Sequence, residues 1–221
     1  MHASEIRCLA MHAGVGPGGS VLDVCCGVAG PGRLITAEFG CRYLGVDYSA
    51  STVEIARQLA GDLPCRFVVA KVPPLPDGRF DVVFLLETML AFPDKRSLLA
   101  DVVRVLEPVG RFAFTVEEGR PLTTAERELM PDADTVWLVE LGEFTAMLCD
   151  VGLTVTWQEE HTASHREIAA ALLQSFDTEG EEIAQIVGDR PLAELIAAHR
   201  LWADWLGTGR VRKFAMVAEK L

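Results

Sequence analysis

The 221-residue sequence lacks several features that mark particular classes of protein. None of its apolar runs approaches the roughly 20 residues that a membrane-spanning helix needs. Its first residues lack the basic-then-apolar pattern of a signal peptide. Its six cysteines include no CxxC pair, so no metal-ligand spacing is apparent. These absences predict a cytoplasmic protein with reduced thiols, no membrane partner and no metal site.

Basic residues are also scarce. The 20 Lys and Arg residues face 32 Asp and Glu residues, which gives a formal net charge of −12. Because an acidic surface repels phosphate backbones, a nucleic-acid partner is disfavoured. The basic cluster Arg210-Val-Arg-Lys213 is too short to change that expectation. Half of the residues are hydrophobic and no linker or repeat is visible, so residues 1–221 are predicted to form one domain.

Short β-branched runs alternate with segments of helical period, which is typical of a parallel sheet with crossover helices. Two segments exceed what plain crossovers need: 117–140, with a capping box at Thr123, and 161–209, predicted to be helical over 164–206 from a capping box at Ser164. Because ligands bind beyond the carboxyl ends of the strands in such sheets, both segments could roof a site or merely cover the sheet. The predicted strands are 20–24, 42–47, 66–70, 81–86, 111–116, 153–158 and 211–219, and the other predicted helices are 31–39, 49–60, 94–106 and 141–150.

The stretch Val21-Leu-Asp-Val-Cys-Cys-Gly-Val-Ala-Gly-Pro-Gly-Arg33 predicts a ligand site. Its small residues after a strand let the backbone approach a ligand closely, and the exposed N–H groups of the following helix favour an anionic group. Asp47, at the end of the next strand, can accept hydrogen bonds from both hydroxyls of a ribose. Together these features predict a ligand that contains a nucleoside.

The loop also loosely imitates the GxGxxG fingerprint of dinucleotide-binding proteins, so NAD(P) or FAD is an alternative. In that fingerprint an apolar strand end normally precedes the loop. Here Asp23 stands two residues before the loop, where an acid repels a pyrophosphate but can orient a loop around a sulfonium and an ammonium group. S-adenosylmethionine (SAM) is therefore the favoured ligand.

At this point the sequence resembles the class I SAM-dependent methyltransferases. The stretch 21–33 is similar to their hhDxGxGxG loop, in the Gly-Pro variant common among small-molecule methyltransferases. Four further segments resemble family motifs in the family's order: Leu44–Ser49, Leu75–Val83, Arg104–Phe112 and Gly209–Val217. The resemblance implies a Rossmann-like three-layer α/β sandwich with helical cap insertions. Its mostly parallel, seven-stranded sheet would have order 3-2-1-4-5-7-6, with strand 7 antiparallel.

The resemblance also implies a function: transfer of a methyl group from SAM to an oxygen, nitrogen or carbon nucleophile of a small molecule, leaving S-adenosylhomocysteine (SAH). Two alternatives stay open: a protein that binds SAM without transferring a methyl group, including a cyclase-type enzyme on the same scaffold, and an NAD(P)-dependent oxidoreductase. The sequence leaves the oligomeric state open, including a homo-oligomer whose partner chain helps to cap the site.

Carried over by position, the cofactor residues follow from the family motifs. Cys25 stands where the family has its first loop glycine and Ala29 where it has the last, but both are small enough for the loop. The stretch 69–72 lacks the acid that commonly contacts the adenine amino group, so the adenine would depend on the backbone near Val72. The expected SAM contacts are Cys25, Gly27 and Ala29 in the loop, Asp47 on the ribose, Tyr48 and Val72 at the adenine, and Leu86 at the methionine half.

Methyl transfer needs a base only when the nucleophile must lose a proton. Glu87 interrupts an apolar run at the end of a central strand, and we interpret it as a catalytic group at the methionine half or the acceptor. His161 is the second catalytic candidate, with His165 beside it at the start of the predicted roof. Aromatic residues of the two cap segments could line a substrate pocket or belong to the core; they are Trp137, Phe176, Trp202 and Trp205.

Overall fold

The computed structural model describes the backbone of residues 1–221 and every side chain except that of Val187. One seven-stranded sheet has the order β3-β2-β1-β4-β5-β7-β6, with β7 antiparallel to both neighbours. This arrangement confirms the predicted Rossmann-like sheet. The strands are β1 Ser20–Val24, β2 Arg42–Asp47, β3 Cys65–Val69, β4 Phe80–Leu85, β5 Leu106–Glu118, β6 Leu153–Glu160 and β7 Arg212–Lys220. The helices are α1 Ala3–His12, α2 Gly30–Phe39, α3 Ala50–Ala60, α4 Lys95–Val105, α5 Thr124–Leu129, α6 Leu141–Asp150, α7 Thr162–Val187 and α8 Asp189–Thr208.

Strand β1 lies in the middle of the parallel part of the sheet. Its apolar residues pair on both sides, with Leu22 opposite Leu44 of β2 and Val83 of β4. Such continuous apolar strands form where helices cover both faces of a parallel sheet. This register brings the carboxyl ends of β1, β2 and β4 to one edge of the sheet, where the loop 25–29 begins.

Local signals explain most helix ends. Ser49 caps α3 by accepting from the N–H of Thr52, and Asp94 caps α4 by accepting from the N–H of Ser97. The predicted capping box forms at α5, where Thr123 and Glu126 bond each other's backbone N–H groups. Helix α2 ends at Gly40, which takes a left-handed conformation with φ of 68°.

Strand β5 is longer than its apolar run predicts. The sequence prediction ended the strand at Val116, and two glutamates follow it. Those residues continue the strand, since Glu117 and Glu118 lie opposite Lys213 and Arg212 of β7. Opposite charges on facing strands stabilise the pairing, so β5 and β7 stay paired beyond the last apolar residue of β5.

The sequence prediction missed one helix and placed the start of another wrongly. Helix α1 was not predicted, although Ile6, Leu9 and Ala10 bury one of its faces. The second concerns Ser164, which does not cap a helix: α7 starts at Thr162, after His161. The Ser164 hydroxyl instead donates to the carboxylate of Glu5 on α1, a long-range contact that no local pattern shows.

The two cap segments share one apolar cluster. Leu122 and Met130 of the first segment pack with Trp205 and Leu206 of α8. Helices α7 and α8, which the sequence joined into one stretch, are separated at Gly188 with φ of 93°. Among the residues described, no helix combines the length and the apolarity needed to cross a membrane.

Candidate functional site

The loop after β1 alternates between ordinary and left-handed backbone. Cys25, Gly27 and Ala29 have φ values of 59°, 55° and 56°. A non-glycine residue in this region costs roughly 1–2 kcal/mol, so the fold holds two strained positions here. The loop is anchored to the sheet, because the Cys26 N–H donates to the Val46 carbonyl of β2 at 3.0 Å.

Asp47 connects the end of β2 to this loop. Its carboxylate is buried and accepts from the N–H of Gly27 at 2.9 Å and of Ser49 at 3.0 Å. Each carboxylate oxygen can accept two hydrogen bonds, so each keeps one acceptor position for a ligand. Two acceptors on one rigid carboxylate suit the neighbouring hydroxyls of a ribose.

Asp23 lies beneath the loop in a buried hydrogen bond. The Tyr43 hydroxyl donates to its Oδ2 at 2.6 Å. Burial raises the pKa of Asp23 to about 7; the Tyr43 hydrogen bond opposes this and the charge of Asp47 adds to it. The Tyr43 ring reaches this place because α2 has Gly32 beside it, where an added Cβ would lie 2.2 Å from the ring.

The raised pKa of Asp23 predicts a pH effect on stability. Between pH 4 and 7 the folded protein keeps a proton that the unfolded chain releases, so stability falls as pH rises through this range. Asp23→Asn, which can still accept from Tyr43, should remove a slope of up to about 1.4 kcal/mol per pH unit. Urea unfolding of both proteins from pH 4 to 8 checks this. Parallel curves for the two proteins would contradict it.

The other predicted cofactor residues surround the same edge of the sheet. Tyr48 directly follows Asp47, and its ring is 78% exposed. Leu86 is buried just after β4, and the partly buried Val72 packs on the core beneath β1 and β4. Tyr48, Val72 and Leu86 thus follow the carboxyl ends of β2, β3 and β4, at the same edge of the sheet as Asp47.

A second group of charged side chains lies beyond β4. Glu87 has a left-handed backbone with φ of 62°, and its N–H donates to Thr115 Oγ1 at 2.7 Å. Its Oε2 lies 2.9 Å from His165 Nε2 and 3.2 Å from Lys213 Nζ. Lys213 is buried and also pairs with Glu117, its cross-strand neighbour. Two carboxylates thus share one buried ammonium.

These contacts decide the protonation of the cluster. Burial would raise the pKa of Glu87, but the Lys213 ammonium and His165 outweigh it and hold this pKa well below its usual range. Burial likewise opposes the charge on Lys213, while Glu117 and Glu87 raise its pKa above the ordinary value. Glu87 is therefore a fixed anion and a poor proton acceptor by itself.

The charged cluster forms one wall of a cavity of about 300 Å³. This volume is at the lower end of the range of small-molecule sites, and most of the remaining wall is apolar, as in such sites. The cavity lies between the end of β4 and the two long cap helices. Its lining residues are Met1, Glu87, Leu90, Glu117, His165, Ile168, Ala169, Leu172, His199, Trp202, Leu206 and Lys213.

Known proteins share both the sequence motifs and the fold. Residues 22–114 match the family model described as a methyltransferase domain. The match covers less than half of the chain, and over that region the chain is similar to a methyltransferase domain. The matched region runs from β1 into β5 and includes the loop and Asp47.

Two curated relatives show the range of similarity to this chain. A chloroplastic tocopherol O-methyltransferase of Arabidopsis thaliana is 32% identical over 117 residues, 50% of this chain and 34% of the relative. Methyltransferase GfsG of Streptomyces halstedii is 28% identical over 201 residues, 86% of this chain and 70% of the relative. The chain spans only about a third of the length of the first curated relatives it matches.

A solved structure supports the fold over the whole chain. The cyclopropane synthase MmaA2 of Mycobacterium tuberculosis has a TM-score of 0.89 with 13% identity. The match covers 98% of this chain and 83% of the synthase. At this identity the likeness shows the fold alone, and its coverage includes helices α7 and α8.

The loop after β1 has open space beside Gly27. An added Cβ at Gly27 would meet no atom within 4 Å, although the loop curls around this position. Gly27→Ala should therefore fold with a loss of only about 1–2 kcal/mol for the left-handed backbone. Its methyl group would project into the ligand's place and should weaken SAH binding at least tenfold. Thermal unfolding and calorimetric titration separate the two effects, and unchanged SAH affinity would contradict the assignment.

The strained loop residues give a converse prediction. Ala29→Gly removes the strain of a left-handed alanine, about 1–2 kcal/mol. It also adds about 0.4–1 kcal/mol of freedom to the unfolded chain and removes a fully buried methyl group worth about 0.8 kcal/mol. These effects nearly cancel, so the variant should stay within about 1 kcal/mol of the wild type. Chemical denaturation checks this, and a loss of about 2 kcal/mol or more would contradict it.

The predicted catalytic residues fall in two places. Glu87 lies on the cavity wall, but His161 is buried elsewhere, with Nδ1 3.6 Å from Glu5 and Nε2 3.5 Å from Glu159. One helical turn later, His165 contacts Glu87. The structure thus brings Glu87 together with His165 and not with His161, whose catalytic role stays an untested prediction.

Sequence reasoning did not identify Lys213 and Glu117. Lys213 stood in the short basic cluster 210–213 and Glu117 after an apolar run, so both resembled surface residues. Their antiparallel register on β5 and β7 was the missing information. Among the aromatic candidates, Trp205 belongs to the apolar cluster, whereas Trp202 lies on the cavity wall and Trp137 under the guanidinium of Arg127.

Proposed function

We propose that the protein transfers a methyl group from SAM to a small molecule held in the cavity beside Glu87. The observation that carries this proposal is the position of that cavity. Glu87 follows β4, the direct neighbour of β1, so the cavity begins next to the loop 25–29 that would hold the cofactor. A donor site and an acceptor site on adjacent strand ends are what a direct transfer requires.

Residues of the loop and of the neighbouring strand ends would each contact a different part of SAM. Asp47 would accept from the ribose hydroxyls, Tyr48 and the backbone at Val72 would contact the adenine, and Leu86 would pack on the methionine half. Cys25, Gly27 and Ala29 would supply a close backbone surface. When bound, SAM supplies a methyl group on a positively charged sulfur. The chain's own contribution is to orient the acceptor, exclude water and hold charge.

The cap segments and the setting of the protein are further parts of the proposal. Residues 1–221 would act as one domain, with 117–140 and 161–209 closing the acceptor cavity. The packing of Leu122 and Met130 against Trp205 supports a common role for the two segments. In this proposal the protein acts in the cytoplasm on a small-molecule acceptor, without a nucleic-acid or membrane partner. A homo-oligomer is an alternative to a monomer.

Incubation with SAM carrying an isotopically labelled methyl group tests the activity. The protein is mixed with labelled SAM and an extract of small metabolites, and the products are analysed by mass spectrometry. We expect label in a small organic product and an equal amount of SAH. Binding of SAM without any release of SAH would favour the non-methylating or cyclase-type alternative. Binding of NAD(P) in place of SAM would favour the oxidoreductase.

A further inference from the structure

An open groove rich in arginine lies at the amino ends of the parallel strands. Its volume of about 1230 Å³ exceeds the range of about 300–1,000 Å³ that is usual for small-molecule sites. Its floor includes the apolar side chains of Leu44 on β2 and Val68 on β3, and Val68 is 40% exposed. Four arginines line this groove, which we call the arginine groove: Arg42, Arg57, Arg66 and Arg79.

The groove is open because no helix covers this face of β2 and β3. Helix α3 packs on the opposite face, where its Val53 shares a core cluster with Tyr43. The connection 70–79 from β3 to β4 forms no helix. Leu44 and Arg66, which are paired across β2 and β3, therefore lie on a face without a covering layer. Parallel sheets are normally covered on both faces, so this open face is a candidate surface for another molecule.

The charges in the groove favour an acidic occupant. Among the described side chains, no carboxylate forms an ion pair with Arg42, Arg66 or Arg79. Asp81 and Glu107 also line the groove, but the four guanidinium groups outnumber these two carboxylates. On a chain with a net charge of −12, a positive groove of this kind attracts acidic surfaces.

Helix α7 of the same chain carries the matching charge. Its residues 167–187 include five acidic residues and no Lys or Arg. Glu179, Glu182 and Ile186 are spaced three and four residues apart, so they share one face of the helix. All three are exposed, and Ile186 is 84% exposed. This acidic face combines carboxylates with an apolar side chain, as the arginine groove combines guanidinium groups with an apolar floor.

The two surfaces lie at opposite edges of the sheet. The groove is at the amino ends of the strands, where Ser20, Arg42 and Phe80 begin β1, β2 and β4. Strand β6 runs parallel to β5, because both are antiparallel to β7, so α7 starts at the carboxyl edge. Since the acidic face of α7 is exposed in its own chain, a contact between the two surfaces needs another copy.

We propose that the arginine groove binds the acidic face of α7 from a second copy of this chain. A helix that lays an amphipathic face into a groove is a common mode of protein recognition. The groove and the helix face are different surfaces, so the contact is heterologous, and each copy offers one of each. The contact is independent of the proposed methyl transfer, because neither surface includes the loop 25–29 or the acceptor cavity.

Sedimentation equilibrium of the full chain tests for this association. We expect a monomer at low concentration and larger species as concentration rises, with a dissociation constant of about 10–100 µM at low salt. Raising the salt from about 0.05 M to about 0.5 M NaCl should weaken the association at least tenfold, because salt screens the charges. A protein that stays monomeric up to about 500 µM at low salt would overturn the proposal.

Two charge reversals locate the contact. Arg66→Glu in the groove and Glu182→Arg on α7 should each weaken self-association at least tenfold. An equimolar mixture of the two variants should associate again, because each mixed pair has one native groove and one native helix face. Self-association that persists in Arg66→Glu, or a mixture that associates no better than either variant alone, would overturn the proposal.

Matched controls make the same charge changes elsewhere. Arg120→Glu and Glu128→Arg alter exposed residues outside both surfaces and should associate as the wild type does. Circular dichroism confirms that all four variants are folded. If the controls lost association equally, net charge and not this contact would explain the effect, which would overturn the proposal.

Titration with sodium phosphate separates the remaining occupant of the groove. Calorimetry of the monomer at low salt compares the wild type with Arg66→Glu. A wild-type protein that stays monomeric and binds phosphate through Arg66 would assign the groove to a small anion and overturn the proposal. None of these outcomes bears on SAH binding, so a failure here leaves the proposed function intact.

Discussion

Replacing Lys213 by methionine is expected to lower the free energy of unfolding by about 3–5 kcal/mol. The ammonium is buried and paired with Glu117 and Glu87, so its removal leaves two carboxylates close together without a counter-charge. This loss is a large part of the roughly 5–15 kcal/mol that stabilises a typical domain. Urea denaturation at neutral pH, compared with the wild type, measures it.

Three further variants make this test specific: Lys71→Met, Glu117→Gln alone, and Glu117→Gln combined with Lys213→Met. Lys71→Met changes an exposed lysine and should leave stability within about 0.5 kcal/mol of the wild type. Lys213→Met combined with Glu117→Gln removes one carboxylate together with the ammonium and should recover a substantial part of the loss. If the double variant were as unstable as the sum of both single variants, the pairing of Lys213 with Glu117 would not explain the effect.

Asp47→Ala is expected to weaken SAH binding by at least about 100-fold, or about 3 kcal/mol. The carboxylate would make charge-assisted hydrogen bonds to both ribose hydroxyls, and it also holds the loop through the Gly27 N–H at 2.9 Å. Isothermal titration with SAH measures the change. Asp47→Asn keeps one acceptor and should fall between alanine and the wild type.

The control for Asp47 is a second aspartate that accepts from a backbone N–H away from the site. Asp94 caps α4 at the Ser97 N–H, 3.0 Å away. Asp94→Ala should lose about 1 kcal/mol of stability through the lost cap, yet bind SAH as the wild type does. Equal losses of affinity in both alanine variants would mean that the Asp47 effect reflects general destabilisation and not contact with the ribose.

The sequence predicted the sheet well because hydrophobic patterning and turn residues are local signals. The apolar runs predicted β1 and β4, and the small residues before Pro31 predicted the loop, because each of these patterns is compatible with few local structures. The resemblance to class I methyltransferases added the strand order and the antiparallel β7, which the structure confirms. The cofactor positions, from Cys25 to Leu86, follow from the same motifs and stay predictions of contact.

The acceptor cavity could not be predicted in the same way. It depends on residues far apart in sequence: Glu87 comes from the loop after β4, Glu117 from β5, His165 from α7 and Lys213 from β7. Which of two neighbouring histidines reaches Glu87 depends on where α7 starts, and the sequence placed that start at Ser164 instead of Thr162. The polar end of β5 was missed because paired charges on facing strands, and not an apolar run, define it.

The central claim is that the loop after β1 and Asp47 form a SAM site. Isothermal titration of the purified, folded protein with SAH tests it most directly, with NAD and NADP titrated in parallel. The account predicts saturable binding of SAH at one site per chain and no binding of either dinucleotide. A protein that is folded by circular dichroism and binds NAD or NADP but not SAH would contradict the account.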